Sequence, residues 1–465
     1  MAFVRFVVKI IQLAITRIGA GWMFALLTFN FNRVAIADLK ATAVVVTSLI
    51  GLHHFISFLY PYWGRISDRH PILGFRRSPY ILLSGLLASV PMLFLPSVAV
   101  GLGEHSLVST VLAFVMIAFF GMAMAMNGSS SNALIAEIIP EKSRGGVVAV
   151  VWAAVIISGI VSAGVSRVIM PQYTPEMLHA SPALMREYLD RMQYLYNLTP
   201  FIVLGTMLIG LIRIESRITK EQHAKILAEQ PRETDSPLGT LRVAARMISS
   251  NEQARGFFFY VLLGIMGVFL QDAILEPFGG QVFGMTQSQT AAFQQVWGTG
   301  ALLGMFGIGA ISNFFPIAKK TIATIGGLGI ALGMAMIAIS SLTHQVVLIN
   351  PGLLLVGLAI GFFNVGSLSM MMEMTIEGQA GLYMGIWGMA QGLGNGCANV
   401  LSGALLSVLV ESRLMNATSG YALIFGFEAL LMVAAVSILR GISVQEFKGL
   451  SRKDIGTVLA LDTAG

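Results

Sequence analysis

The chain has 465 residues, of which 55% are apolar and 11% charged, with a net charge of +6 and a mean hydropathy of +0.78. A soluble domain carries about 25% charged residues, so this composition excludes an ordinary soluble protein and predicts an all-α polytopic membrane protein. The basic excess falls in loops, where anionic lipid and membrane orientation account for it, and no nucleic-acid partner is implied.

The first eighteen residues carry Arg5, Lys9, Gln12 and Thr16 at spacings of four, three and four. That spacing predicts a helix over 1–18 lying in the membrane interface, one face polar and the other apolar. No small-residue cleavage site follows a short apolar core, so no cleavable signal is expected. Spanning helices need about 20 apolar residues. On that rule twelve are predicted, at 19–37, 42–63, 79–100, 107–134, 147–169, 194–213, 256–275, 288–312, 321–342, 350–372, 383–409 and 420–440. Most Lys and Arg residues then fall on the side of both termini, which predicts cytoplasmic ends.

The first predicted span ends in Asn30, Asn32 and Arg33, with Asp38 just beyond it. Polar groups inside a bilayer are costly and mark function by default. His53 and His54 sit near the middle of the second span. Neutral imidazole ligates magnesium-centred tetrapyrroles and transition metals, but neighbours on a helix point about 100° apart, so one of the two at most is expected to face a given ligand. A core histidine bonded to a neighbouring helix is the commoner alternative.

The loop that follows runs Gly64-Arg65-Ile66-Ser67-Asp68-Arg69-His70-Pro71-Ile72-Leu73-Gly74-Phe75-Arg76-Arg77. Gly permits a sharp helix exit, Asp caps or pairs with Arg, and the clustered charge fixes orientation. This loop resembles the one between the second and third spans of the major facilitator superfamily. A solvated basic loop without a switching role is the plainer reading. Asn127 to Asn132 form a polar patch in span four, read as helix glue. Beyond it, Glu137 to Gly145 contain Pro140 and Arg144, the acidic-Pro-Arg-Gly turn also common in that superfamily. Arg144 is thus a candidate partner for Asp68.

The longest connection, 214–255, is charged and contains Pro231 and Pro237, which reads as a linker between two six-helix bundles at 19–213 and 256–440, with a tail at 441–465. The halves look like copies. Gly64 to Asp68 answers to Gly309 to Asn313, Arg76-Arg77 to Lys319-Lys320, Asn127 to Asn364, Glu137 to Glu373 and Trp152 to Trp387.

In the second copy Gln271, Asp272 and Glu276 stand where the first copy has its outer polar cluster, so Arg33 is predicted to pair with Asp272 or Glu276, as a gate or a static bridge. Gly388, Gly392 and Gly396, like Gly300 and Gly304, are expected to let helices approach closely. Met370-Met371-Met372 fill core gaps. Cys397, the single cysteine, excludes a disulfide framework and a Cys-based metal site, and its Gly and Asn neighbours predict a buried thiol. Glu428 is the lone carboxylate of the twelfth span, a candidate protonatable group or a bonded core residue.

Phe31-Asn32-Arg33-Val34, the Ser67 to Ile81 run, and Gln271-Asp272 through Leu275-Glu276-Pro277-Phe278-Gly279-Gly280 to Phe283-Gly284-Met285 together resemble the PucC/LhaA family of the major facilitator superfamily, over nearly the whole chain. The resemblance implies twelve helices in two pseudo-repeats and a role in assembling photosynthetic light-harvesting complexes. It implies handling of (bacterio)chlorophyll as cargo and its delivery to antenna apoproteins, in a cytoplasmic, intracytoplasmic or thylakoid membrane. Partners would be lipid, light-harvesting or photosystem polypeptides and, as a further candidate, chlorophyll synthase. Some members have been labelled a chain of bacteriochlorophyll synthase. The residues argue against catalysis: there is no Asp-x-x-x-Asp to hold magnesium diphosphate, no phosphate-cradling loop and no clustered metal ligands. A proton-coupled secondary transporter of an amphipathic molecule, with Glu428 or Asp272 as the coupling group, is the alternative.

Overall fold

A computed structural model describes residues 2–219, 221, 223, 246, 248–249, 251–314, 317–374 and 380–449. The side chains of residues 2, 3, 57, 58, 60, 61, 65, 68, 141–146, 312–314 and 380–385 lie outside that description, as does most of the predicted linker.

The fold is helical. In chain order the helices are α1 (Ala2–Ile15), α2 (Ile18–Ala25), α3 (Ala43–Phe55), α4 (Tyr60–Arg69), α5 (Ser78–Gly103), α6 (Leu107–Ile138), α7 (Glu141–Ile169), α8 (Pro175–Ala180), α9 (Pro182–Asn197) and α10 (Thr199–Leu211). They continue with α11 (Glu252–Phe269), α12 (Leu275–Phe283), α13 (Gln287–Phe314), α14 (Lys319–Thr343), α15 (Ile349–Glu373), α16 (Ala380–Leu406) and α17 (Ala417–Arg440).

Local chemistry sets several boundaries. Proline, which needs no N–H partner in a first turn, opens α5, α8, α9 and α10. Side chains of Ser106, Thr174 and Asn251 accept hydrogen bonds from the first turns of α6, α8 and α11.

Among the described residues nine helical stretches are long and apolar enough to cross a membrane, and Ala43–Phe55 is a shorter apolar helix. The predicted second span is cut short because α3 tightens into a 3-10 turn over Ile56–Leu59. The predicted seventh span is broken between α11 and α12, and the predicted eighth is the more polar α13. The first span runs on from α2 as two π-helical segments, Leu26–Phe31 and Val34–Asp38. Large apolar side chains such as Leu107, Val108, Val168 and Phe201 are exposed, the surface of a chain solvated by lipid. The protein is a multi-pass integral membrane protein.

The described residues group into two compact units. The first comprises Met1–Gln230, Gln271–Gly298 and Asn399–Tyr421; Phe31, Phe120, Tyr188, Tyr196, Phe278 and Tyr421 are buried within it. The second comprises Pro231–Leu270, Thr299–Ala398 and Ala422–Gly465, with Tyr260, Phe257, Phe363, Trp387 and Phe425 buried.

Two glycine expectations divide. A Cβ at Gly304 would overlap the Leu358 backbone, as close helix packing requires, whereas Gly388 has nothing within 4 Å. In α16 it is Gly394 that sits on the Leu262 carbonyl and Ile265. Cys397 is exposed rather than buried, because its Gly and Asn neighbours in the sequence do not fix which face of α16 it takes.

Candidate functional site: a buried polar network

The densest buried polar cluster lies in the first unit, at the C-terminal end of the first span. Arg33 is fully buried and donates from Nη1 to Asp38 Oδ1 at 2.6 Å and from Nη2 to the Met285 carbonyl at 2.8 Å. The Tyr188 hydroxyl donates to the other Asp38 oxygen at 2.7 Å. This corrects the predicted pairing of Arg33 with Asp272 or Glu276. The physical reason is helical geometry. An α-helix brings residues three and four apart together, but Val34–Asp38 is π-helical, with Leu39 N bonded to Val34 O, and i→i+5 spacing puts Asp38 beneath Arg33.

The rest of the cluster grows from a helix break. Gln271 to Ile274 turn between α11 and α12, which leaves carbonyls without intrahelical donors. Asn32 fills this gap, donating to the Ala273 carbonyl at 2.9 Å and more distantly to that of Asp272. Gly284, at φ +63°, ends α12 and turns the Met285 carbonyl toward Arg33. Gly280 is required here, since a Cβ would overlap the guanidinium. The Gln271 amide reaches Asp272 at 3.5 Å.

Glu276 is fully buried and close enough for its charge to interact with Arg33. Its neighbour Thr290 gives its hydroxyl hydrogen to the Gln287 carbonyl at 3.1 Å, so neither Glu276 oxygen receives a full hydrogen bond. Asn30 donates to Ser166 at 3.2 Å, and Gln287 donates to the same hydroxyl at 2.9 Å. These three side chains border a small cavity, with about the capacity of one water molecule. Outside the membrane, burial and the Lys40 charge hold the His179 imidazole below its ordinary value.

A second cluster surrounds the basic loop. Ile72 and Phe75 exchange both backbone hydrogen bonds at 2.9 Å. Leu73 and Gly74, at φ 54° and 81°, form the intervening tight turn, in the left-handed region where glycine is favoured. Arg77 bonds Glu137 through Nε at 2.9 Å and Nη2 at 2.8 Å, and also reaches Ser67. Arg76 pairs with Glu137 at 3.1 Å. Glu215, which the sequence reading overlooked, accepts the backbone N–H of Arg76, Arg77 and Ser78 at 2.8, 3.0 and 2.7 Å, and the Ser78 hydroxyl at 2.6 Å. It caps α5 from the segment after α10. Its only sequence signal was a carboxylate directly following an apolar span. Arg69 is exposed at the end of α4 and Gly64 is half-buried. The Asp68–Arg144 pairing lies outside the described residues.

In the second unit Lys319 pairs with Glu373. This is the contact of Arg76 and Arg77 with Glu137 repeated at the positions matched in sequence. Asn127 accepts from Arg17 of the first span at 2.9 Å and donates to Ser84 at 2.9 Å. Ser367 bonds Tyr260 at 2.5 Å, tying the corresponding helix pair of the other unit. Glu428 is fully buried. His53 is 7% exposed and His54 half-buried, with ring centroids 3.8 Å apart. The two rings thus lean together rather than diverging.

The model of the PUCC protein family matches residues 30–447. The chain belongs to that family. Among its PUCC relatives is the bacteriochlorophyll synthase 44.5 kDa chain of Rhodobacter capsulatus, 28% identical over 450 residues, covering 93% of this chain and 95% of the relative. Protein PucC of Cereibacter sphaeroides is 26% identical over 458 residues, with 93% and 92% covered. Among solved structures, a D-xylose-proton symporter superposes with a TM-score of 0.66 at 15% identity, over 95% of this chain and 99% of the other. A POT family transporter gives 0.65 at 13% identity, over 94% and 96%. At such identities the likeness shows the fold alone: this PUCC chain has the fold of major facilitator transporters.

Proposed function

We propose that this chain is a membrane assembly factor for photosynthetic light-harvesting complexes, which handles (bacterio)chlorophyll and delivers it to antenna apoproteins, and that it is not an enzyme. The observation that carries the reading is the family match over 30–447, joined to a relative whose name contains bacteriochlorophyll. Twelve crossings in two bundles, 19–213 and 256–440, with both termini cytoplasmic, fit this role, with antenna or photosystem polypeptides docking from the lipid side. The buried charge supports it too. Arg33 is neutralised by Asp38 within the same helix, and a hydrophilic anionic substrate would have to displace that carboxylate. A chlorophyll, largely apolar, makes no such demand.

The test is deletion of the gene in its photosynthetic host, followed by absorption spectra of isolated membranes. Antenna bands should fall while free pigment or its precursors accumulate. Normal antenna bands, with the purified protein accumulating a substrate in vesicles, would overturn the assembly reading.

That outcome would favour the second reading, a proton-coupled transporter of an amphipathic molecule. One observation speaks for it: Glu276 is a fully buried carboxylate in the same polar cluster as Arg33.

A further inference from the structure

We infer that the Leu73-Gly74 turn and residues 212–218 together form a docking surface for anionic lipid headgroups, with Leu73 entering the acyl boundary beside them. The inference does not depend on what the protein carries.

The two segments are joined through backbone and side chains. The Ile218 N–H donates to the Gly74 carbonyl at 2.9 Å. Arg217 lays its guanidinium over the Phe75 ring, 5.3 Å from the centroid, and its stem runs past Gly74, where an added Cβ would lie 3.6 Å from Arg217 Cβ and Cγ. Glu215, between the two arginines of this segment, is committed to the backbone amides that open α5. The joint therefore spends its carboxylate inward and leaves Arg213 and Arg217 exposed, with no carboxylate partner among the described residues. A stacked guanidinium still presents the N–H donors along its rim. Those donors suit a phosphate oxygen pair.

Beside the two charges lies apolar surface whose placement costs strain. Leu73 is 80% exposed at φ 54°, and Ile212 is 60% exposed. A bulky residue in the left-handed region is an outlier, and the first position of such a turn suits Asn, Asp or Gly. The hairpin's own stability does not call for a leucine there, so the outlier points to a use outside the hairpin. Arg213, at φ 52°, shares the left-handed backbone.

Both segments also lie where the chain leaves the membrane. Ile212 directly follows Leu211, the end of one candidate span, and Leu73 sits in the short hairpin that leads into Ser78, the start of another. The headgroup layer is about 5–7 Å deep on each side of the hydrocarbon core, and a hairpin folded back on itself stays within reach of it. Exposed guanidinium groups next to an exposed aliphatic side chain match an anionic leaflet, which offers phosphate above and acyl chain below.

The experiment uses the full-length protein carrying Cys397→Ser and Leu73→Cys, labelled at position 73 with a nitrobenzoxadiazole fluorophore, in nanodiscs of phosphatidylcholine with or without phosphatidylglycerol. Doxyl groups on the upper acyl carbons should quench the label, more strongly when phosphatidylglycerol is present, and high salt should weaken that difference. In parallel, native mass spectrometry identifies the lipids retained by unlabelled protein. R213Q combined with R217Q should lower the ratio of retained phosphatidylglycerol to phosphatidylcholine by about tenfold. L73N separates docking from folding. Asn suits the left-handed turn, so thermal stability in detergent should hold or rise while retained phosphatidylglycerol falls.

A label that stays in water in both lipids overturns the docking surface. Equal quenching in the two lipids, with the arginine variants retaining lipid as wild type does, overturns the anionic headgroup as the ligand. If L73N loses stability in step with lipid retention, Leu73 is structural and the wedge is overturned. Shielding of the label that arises only when native membrane proteins are added assigns the face to a protein partner instead of lipid.

Discussion

The two repeat-related corners of this protein are built from matched residues and held to different degrees. In the first, Arg76 and Arg77 share Glu137, Ser67 adds a bond to Arg77, and Glu215 clamps three backbone amides and a hydroxyl at the start of α5. In the second, Lys319 pairs with Glu373, their side chains 45% and 39% exposed, and Lys320 donates to the Arg440 and Ile442 carbonyls at 2.7 and 3.0 Å. Exposed ion pairs contribute about 0–1 kcal/mol, whereas hydrogen bonds to charged groups contribute about 1.5–3 kcal/mol each. The carboxylate contact is therefore multiply bonded in one copy and a single exposed pair in the other, where Lys320 on backbone carbonyls supplies the remaining hold. Arg makes the multiple contact because its planar fork engages a carboxylate with two donors, which a Lys ammonium cannot do.

The contrast between buried and exposed charge orders the expected effects of mutation. The largest belongs to the fully buried pair. Removing one partner of such a pair costs about 3–5 kcal/mol, so R33L should sharply lower the thermal stability of the detergent-solubilised protein, and R33L combined with D38L should regain part of the loss. In a double-mutant cycle Arg33 and Asp38 should couple by more than about 1 kcal/mol. Arg33 and Asp272 should be additive to within about 0.5 kcal/mol, and strong coupling of that second pair would restore the bridge that the sequence suggested.

Next comes Glu215. E215A should cost about 2–3 kcal/mol by leaving the first turn of α5 uncapped. It should also speed proteolysis of the loop containing Gly74. A variant as stable as wild type would show that the two corners are equivalent after all. The smallest effect is expected at the second corner, where E373Q should shift stability by less than about 1 kcal/mol, and that little should vanish in high salt.

Part of this arrangement was legible in the sequence. The correspondence of Glu137 with Glu373, and of Arg76-Arg77 with Lys319-Lys320, was legible in collinear motifs, whereas the pairing of these residues with one another came from the structure. The role of Asn127 as glue between helices was legible too, since a polar amide in an apolar span must bond to a neighbour. The partner of Arg33 was not. Reading it required knowing that the first span changes to π geometry at Val34, and no residue type announces that change. Tyr188 was equally hidden, as it comes from a helix 150 residues away. Cys397 was misjudged because an apolar run does not mark which of its positions are buried and which exposed.

By itself, the sequence determined the membrane class, the helical repeats and the family, because hydropathy, loop charge and short motifs are local properties of the chain. Only the tertiary structure decided which buried groups meet: Arg33 with Asp38, Glu215 with the amides of α5, and His53 with the rings of Phe24, His54 and Phe120. Those choices depend on helix breaks and on the angles at which distant segments pack. A buried polar group takes whichever partner that packing brings within about 3 Å.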